Sequence, residues 1–222
     1  MCWVELCKLP AALAERASMS ERAGFRKKAA YLRQLALIFG LYTMTCPVRG
    51  KELYNLREPD VKVTHSKLIV TFKDYKNSAS QGEKWKVLPR QEGFGFLIDL
   101  AKKVVSASDR RLLCSGRTKP DNTVFVTITG KPYSGSHWST TVKKTISKFC
   151  PKLRRWSIGV NGIRKAFVTK LLAGSPSSAI LKSVACAMNT SVDELYATYD
   201  QRCSCERSKA GIQESLRIFA GF

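Results

Sequence analysis

Two arginines and two tyrosines carry the strongest chemical signal in this chain. Arg49 lies in Thr45-Cys46-Pro47-Val48-Arg49-Gly50-Lys51-Glu52-Leu53-Tyr54-Asn55-Leu56, Arg164 closes Asn161-Gly162-Ile163-Arg164, and Tyr196 and Tyr199 follow. A guanidinium is a planar fork that grips a phosphate through two parallel hydrogen bonds. Two of them, brought from distant segments, can hold one phosphate and offset the charge that builds on it during displacement. A tyrosine hydroxyl beside such a clamp is a candidate nucleophile.

The rest of the composition suits a polyanion. Lys and Arg number 38 against 17 Asp and Glu, a formal charge of +21 in 222 residues, and the sequence pI is about 9.9. So large a one-sign excess repels itself unless an anionic partner offsets it, so a nucleic acid is the expected partner. With 44% hydrophobic residues the chain can bury one sizeable core and a second small one. No window approaches the roughly 18 apolar residues of a membrane span, and the N-terminus lacks the layout of a signal peptide. The protein is therefore expected inside the cell with its nucleic acid, in the nucleus if that is DNA and the host is eukaryotic, not secreted and with no membrane partner. The eight cysteines form no pair of Cys-x-x-Cys knuckles and only two histidines, His65 and His137, are present, so no metal or other cofactor is expected.

Hydrophobic spacing predicts the elements that position these residues. Residues 1–20 read as an N-terminal extension, with Ser18 and Glu21 as a capping box opening a helix. Phe25, Ala29, Leu32, Leu35, Ala36 and Phe39 form its core-facing stripe, which leaves Arg26, Lys27, Lys28 and Arg33 for the other side. Gly40 and Pro47 interrupt it and deliver Arg49 at the start of a second helix. Alternation at Val61 and Val63, then Leu68, Val70 and Phe72, then Lys84 to Leu88, predicts a small antiparallel sheet. Helices are expected over 94–105, 134–149, 162–172, 179–187 and 191–196, with an extended segment at 124–128. The fold class is α+β and mostly helical.

These residues resemble the catalytic domain of the tyrosine recombinase and integrase family. Arg49-Gly50-Lys51-Glu52-Leu53-Tyr54-Asn55-Leu56 with Asp60-Val61 looks like its first arginine box, and Asn161 through Leu172 looks like its His-x-x-Arg helix. The likeness covers roughly residues 21–200 and does not include the family's separate N-terminal DNA-clamping domain. It implies a tyrosine recombinase catalytic-domain-like fold and double-stranded DNA as partner. It also implies strand breakage and rejoining through a covalent 3′-phosphotyrosyl intermediate. Arg49 and Arg164 would clamp the scissile phosphate, and a lysine of the β-hairpin would protonate the leaving oxygen. Lys76 is the choice for that lysine, with Lys73 and Lys84 as rivals. Counting without a gap from Arg164 selects Tyr196 as nucleophile and puts Ala187 at the third-box position; Tyr199 would put Thr190 there instead. Asn161 stands where the family has histidine, and neither Ala187 nor Thr190 is the family's histidine or tryptophan. Asparagine can donate a hydrogen bond but cannot shuttle a proton.

Residues 201–222 read as a tail helix with Ile212, Leu216, Ile218 and Phe219, and the resemblance implies self-association on DNA through it. Integration by a mobile element is the biological setting that the resemblance suggests. Two other readings compete. One is a decayed recombinase that binds DNA without cutting it. The other is a basic RNA-binding protein using Trp85, Trp138 and Trp156 for stacking and Lys143-Lys144 and Arg154-Arg155 for phosphates.

Overall fold

A computed structural model describes residues 3–73, 82–114 and 122–202. The expected Lys76, the loop around it and the tail helix lie outside the described residues. The path begins with helices α1 (Trp3–Cys7), α2 (Leu9–Arg22), α3 (Arg26–Thr43) and α4 (Gly50–Tyr54). Strands β1 (Val61–Val63), β2 (Lys67–Phe72) and β3 (Lys84–Pro89) follow. Next come α5 (Gly95–Val104), α6 (Ala107–Cys114), α7 (Gly135–Phe149), α8 (Val160–Leu172), α9 (Ser178–Ala187) and the short α10 (Val192–Glu194). A single wide turn, Leu195–Tyr199, is the last described element.

Helix α3 is the axis of the domain. From Ala29 to Thr43 all but Tyr31 are buried, so a helix expected to show one apolar stripe is enclosed nearly all round. Gly40 lies within it rather than interrupting it. A Cβ there would run into the Leu97 side chain, so its glycine serves the close approach of α5. Arg33, expected on the outer face, is 6% exposed and gives a two-pronged pair to Asp109 of α6, at 2.7 and 2.5 Å, with Glu21 as a further partner at 3.0 Å. Ser18 and Glu21 do not open a helix either: α2 runs through both, and the Ser18 hydroxyl donates to Ala14 O one turn back. The chain reverses at Gly24, whose φ of +80° suits a residue without Cβ.

Asp109→Ala is expected to destabilise the protein by roughly 3 to 5 kcal/mol, because it strands a buried guanidinium with only the half-exposed Glu21. Urea unfolding checks this, and pairing Asp109→Leu with Arg33→Met should restore most of the stability.

The sheet order is β1-β2-β3, antiparallel throughout, with Val61 opposite Val70 and Leu68 opposite Leu88. Its inner face, Leu68, Val70, Phe72 and Leu88, joins the main core. The segment at 123–126 is extended and forms single bridges, Arg57 to Thr123 and Val126 to Pro132, and at Val126 the buried Gln34 amide of α3 donates to the carbonyl at 2.6 Å and accepts from the backbone N–H at 2.9 Å. Residues 3–17 contribute Leu6, Leu9, Leu13 and Ala17 to the same main core. A second, smaller cluster gathers Val168, Leu172, Leu181, Ala185, Met188, Leu195 and Tyr199. Arg164 stands on α8 at the seam between the two.

Candidate active site

Pro47 and Val48 bring the chain extended into Arg49, which caps α4 with φ −71° and ψ 155°. Glu52, three residues on, folds back so that its Oε2 accepts from Arg49 N at 3.0 Å while Oε1 lies 3.6 Å from the Arg49 guanidinium. The Arg49 side chain then crosses to the far end of α9, where it donates to Asn189 O at 2.8 Å. Its side chain keeps 29% of its surface open, so it can still reach a ligand.

Arg164 is wholly enclosed. Its guanidinium donates to Pro47 O at 2.7 Å, to Met188 O at 3.2 and 3.3 Å, and through Nε to the Tyr199 hydroxyl at 3.1 Å. The same guanidinium lies 4.8 Å from the centre of the Tyr199 ring. Burial pulls the Arg164 pKa below its ordinary value, but an arginine starts so high that it stays charged. Three carbonyl contacts and one hydroxyl therefore stand in for an anionic partner.

The end of α9 serves both arginines. Asn189 takes the left-handed conformation, φ +54°, and the Asn189 and Thr190 amides bond back to Cys186 O and Ala185 O. That is the Schellman ending of a helix. It presents the carbonyl of Met188 to Arg164 and the next carbonyl, of Asn189, to Arg49. Thr190 Oγ1 and Glu52 Oε1 are buried beside this turn and, among the described residues, have no hydrogen-bond partner.

A lysine completes the group. On β3, Trp85 and Val87 face outward, 62% and 52% exposed, so the intervening Lys86 points inward. Its ammonium donates to Thr45 Oγ1 at 3.0 Å and to Cys46 O, four and three residues before Arg49. Burial, with Arg164 nearby, lowers its pKa to about 8, against the opposing pull of Cys46 and Glu52. It lines a cleft of about 540 Å³ with Cys46, Phe167 and Ala187.

Among solved structures, the chain is similar to XerA recombinase, with 17% identity and a TM-score of 0.54 over 91% of this chain and 63% of that one. It is similar to XerH site-specific recombinase bound to palindromic difH substrate in a post-cleavage complex, with 18% identity and a TM-score of 0.57 over 95% of this chain and 52% of that one. A pre-cleavage complex of XerH with difH gives 18% identity and a TM-score of 0.54 over 82% of this chain and 47% of that one. The chain has the fold of a tyrosine recombinase catalytic domain. It spans between 47% and 63% of the length of those structures. No protein-family model and no curated protein matches the sequence.

On this recombinase fold the residues expected from sequence divide into two groups. Arg49, Arg164, Tyr199 and Thr190 converge around the Met188–Asn189 turn. Asn161 is exposed on the first turn of α8, Tyr196 is 44% exposed, and Ala187 lies in the Lys86 cleft. Lys73 is held at the surface by Asp60 at 3.1 Å and Glu83 at 3.9 Å. Lys84 shares the inward parity of Lys86 at the start of β3. His65 and His137 are both exposed on other elements. Sequence reasoning misses Lys86, although a lysine flanked by two large apolar residues is an available signal. Trp138 is 2% exposed, with Nε1 donating to Tyr42 at 3.1 Å, so it cannot stack on a nucleobase, whereas Trp85 and Trp156, the other two rings of the RNA reading, are 62% and 54% exposed.

A second concavity of the recombinase fold, about 580 Å³, is lined by Lys143, Lys144, Lys148 and Arg154 with Ser147 and Ser157, and no carboxylate lines it. The stem of Lys143 lies against Gly159, next to the start of α8. Among the described residues, no helix is long and apolar enough to cross a membrane.

Proposed function

We propose that this protein breaks and rejoins DNA strands through a phosphotyrosyl intermediate, with Tyr199 rather than Tyr196 as the nucleophile. The observation that carries the proposal is the Tyr199 hydroxyl 3.1 Å from Arg164 Nε, beside an Arg49 tied to the same turn. In this reading the phosphate of a duplex enters between Arg49 and Arg164, replacing carbonyl and hydroxyl contacts with its own oxygens. The Tyr199 oxygen attacks phosphorus and the bond to the 5′ oxygen breaks, which leaves a 3′-phosphotyrosyl link. Lys86 protonates the departing oxygen. Neither Asn161 nor Thr190 is a base, so the phenol proton leaves to water. The unpartnered Thr190 hydroxyl can donate to a non-bridging oxygen. A second DNA hydroxyl reverses the step. The solved complexes of XerH with difH support DNA as the substrate class.

The test is incubation with nicked duplex and supercoiled plasmid, followed by denaturing gels. A protein-linked DNA strand is the expected result. Tight duplex binding with no adduct on any substrate would instead favour a descendant that only binds DNA. That second reading is supported by Asn161 where the resembling family has histidine, and by alanine or threonine, Ala187 or Thr190, where it has histidine or tryptophan.

Either reading uses the basic concavity for backbone phosphates. Replacing Lys143, Lys144 and Lys148 by glutamate should flatten the slope of log affinity against log salt by roughly 0.9 for each phosphate that is no longer neutralised. Filter binding between about 50 and 200 mM salt measures it. An unchanged slope would remove this surface from the DNA path.

A further inference from the structure

We infer that Asn189 is a positioning residue whose side-chain amide holds Glu52 and thereby aims Arg49, a task separate from the turn that its backbone makes. The inference rests on the reading of Arg49 as a phosphate ligand.

The C′ position of a Schellman ending favours glycine, because a left-handed φ places a Cβ badly. Asn189 occupies that position with φ +54° and is 8% exposed, so the side chain is tucked in rather than left in water. Its Nδ2 donates to Glu52 Oε2 at 3.1 Å. The same oxygen accepts from Arg49 N at 3.0 Å, and the other, Oε1, has no hydrogen-bond partner and faces the Arg49 guanidinium at 3.6 Å. A buried carboxylate with so few donors is held in orientation by each of them. Asn189 therefore grips Arg49 twice: directly by its carbonyl, and indirectly through Glu52. A glycine would keep the first grip and lose the second. The turn alone does not explain asparagine; the Glu52 contact does.

The variant Asn189→Gly separates the two roles. Thermal unfolding should show a modest fall in melting temperature and no loss of the fold, since glycine suits the turn at least as well while Glu52 Oε2 loses one of its two donors. In nitrogen-15 spectra, the parent should give resolved Arg49 guanidinium resonances, and Asn189→Gly should broaden them while those of Arg164 stay fixed. With cleavable DNA, the chemical step should slow by on the order of 10²-fold, the scale of a small misplacement of a reacting group. Duplex affinity should hardly change, because the remaining basic surface carries it. Asn189→Asp, which tolerates the same backbone but sets a carboxylate against Glu52, should disturb Arg49 more. Arg49 resonances unchanged in both variants would overturn the inference. If the parent forms no DNA adduct, the recombinase reading fails while the Arg49 spectra still decide this one.

Discussion

Tyr199→Phe is expected to abolish the covalent protein–DNA adduct, whereas Tyr196→Phe should leave it. Removing the attacking oxygen removes the reaction outright, so the effect is all or none rather than a reduced rate. The two tyrosines occupy opposite environments. The Tyr199 ring lies under the Arg164 guanidinium with its hydroxyl as an acceptor, while Tyr196 is 44% exposed on the outside of the same turn. Peptide mapping of the adduct formed on nicked duplex identifies the residue directly. Because Tyr199 also belongs to the small C-terminal cluster, the phenylalanine variant should be checked for retained duplex binding. An adduct that persists in Tyr199→Phe and disappears in Tyr196→Phe would reverse the assignment.

The second large effect should come from Lys86→Ala. An alkoxide is a poor leaving group, and a positioned acid that protonates it contributes roughly 10² to 10⁴ in rate. A substrate with sulfur in place of the leaving oxygen departs without a proton, so it should restore cleavage to the variant while an ordinary phosphodiester does not. Lys86 is protonated below its pKa of about 8 and loses its proton as pH rises through that value. Cleavage of the ordinary substrate by the parent should therefore fall on the alkaline side of that point, and that limb should vanish with the sulfur substrate. For stability the sign is the reverse of a paired lysine. Burial lowers this pKa in the folded state, so between about 8 and the ordinary lysine value of 10.5 the unfolded chain binds more protons and this group favours folding more as pH rises. Equal reductions on both substrates would deny Lys86 the role of acid.

Much of the fold is legible in the sequence because periodicity reports burial. The three strands, the helices over 95–104, 135–149, 160–172 and 178–187, and the placement of Arg49 at a helix start all follow from spacing, caps and proline. The departures share one cause: sequence pattern assigns polar residues to water. Arg33 reads as a surface residue, but Asp109 lies 76 residues away and nothing local announces the pair. Lys86 escapes notice because Trp85 and Val87 look like the inward residues of β3, and the strand is turned the other way. Ser18 and Glu21 match a capping box and yet sit inside a continuous helix. The choice between the two tyrosines depends on something else. Counting from Arg164 favours Tyr196, whereas the structure sets the Tyr199 hydroxyl against Arg164 beside the left-handed turn at Asn189, and a turn made by asparagine rather than glycine is a faint signal in one sequence.

The two guanidiniums hang on successive carbonyls of one chain, those of Met188 and Asn189. Neighbouring residues across a trans peptide are about 3.8 Å apart, whatever the rest of the protein does. The two arginines thus share an anchor on adjacent peptide units of one turn. A change at that turn would reach both charges at once, whichever helices carry them.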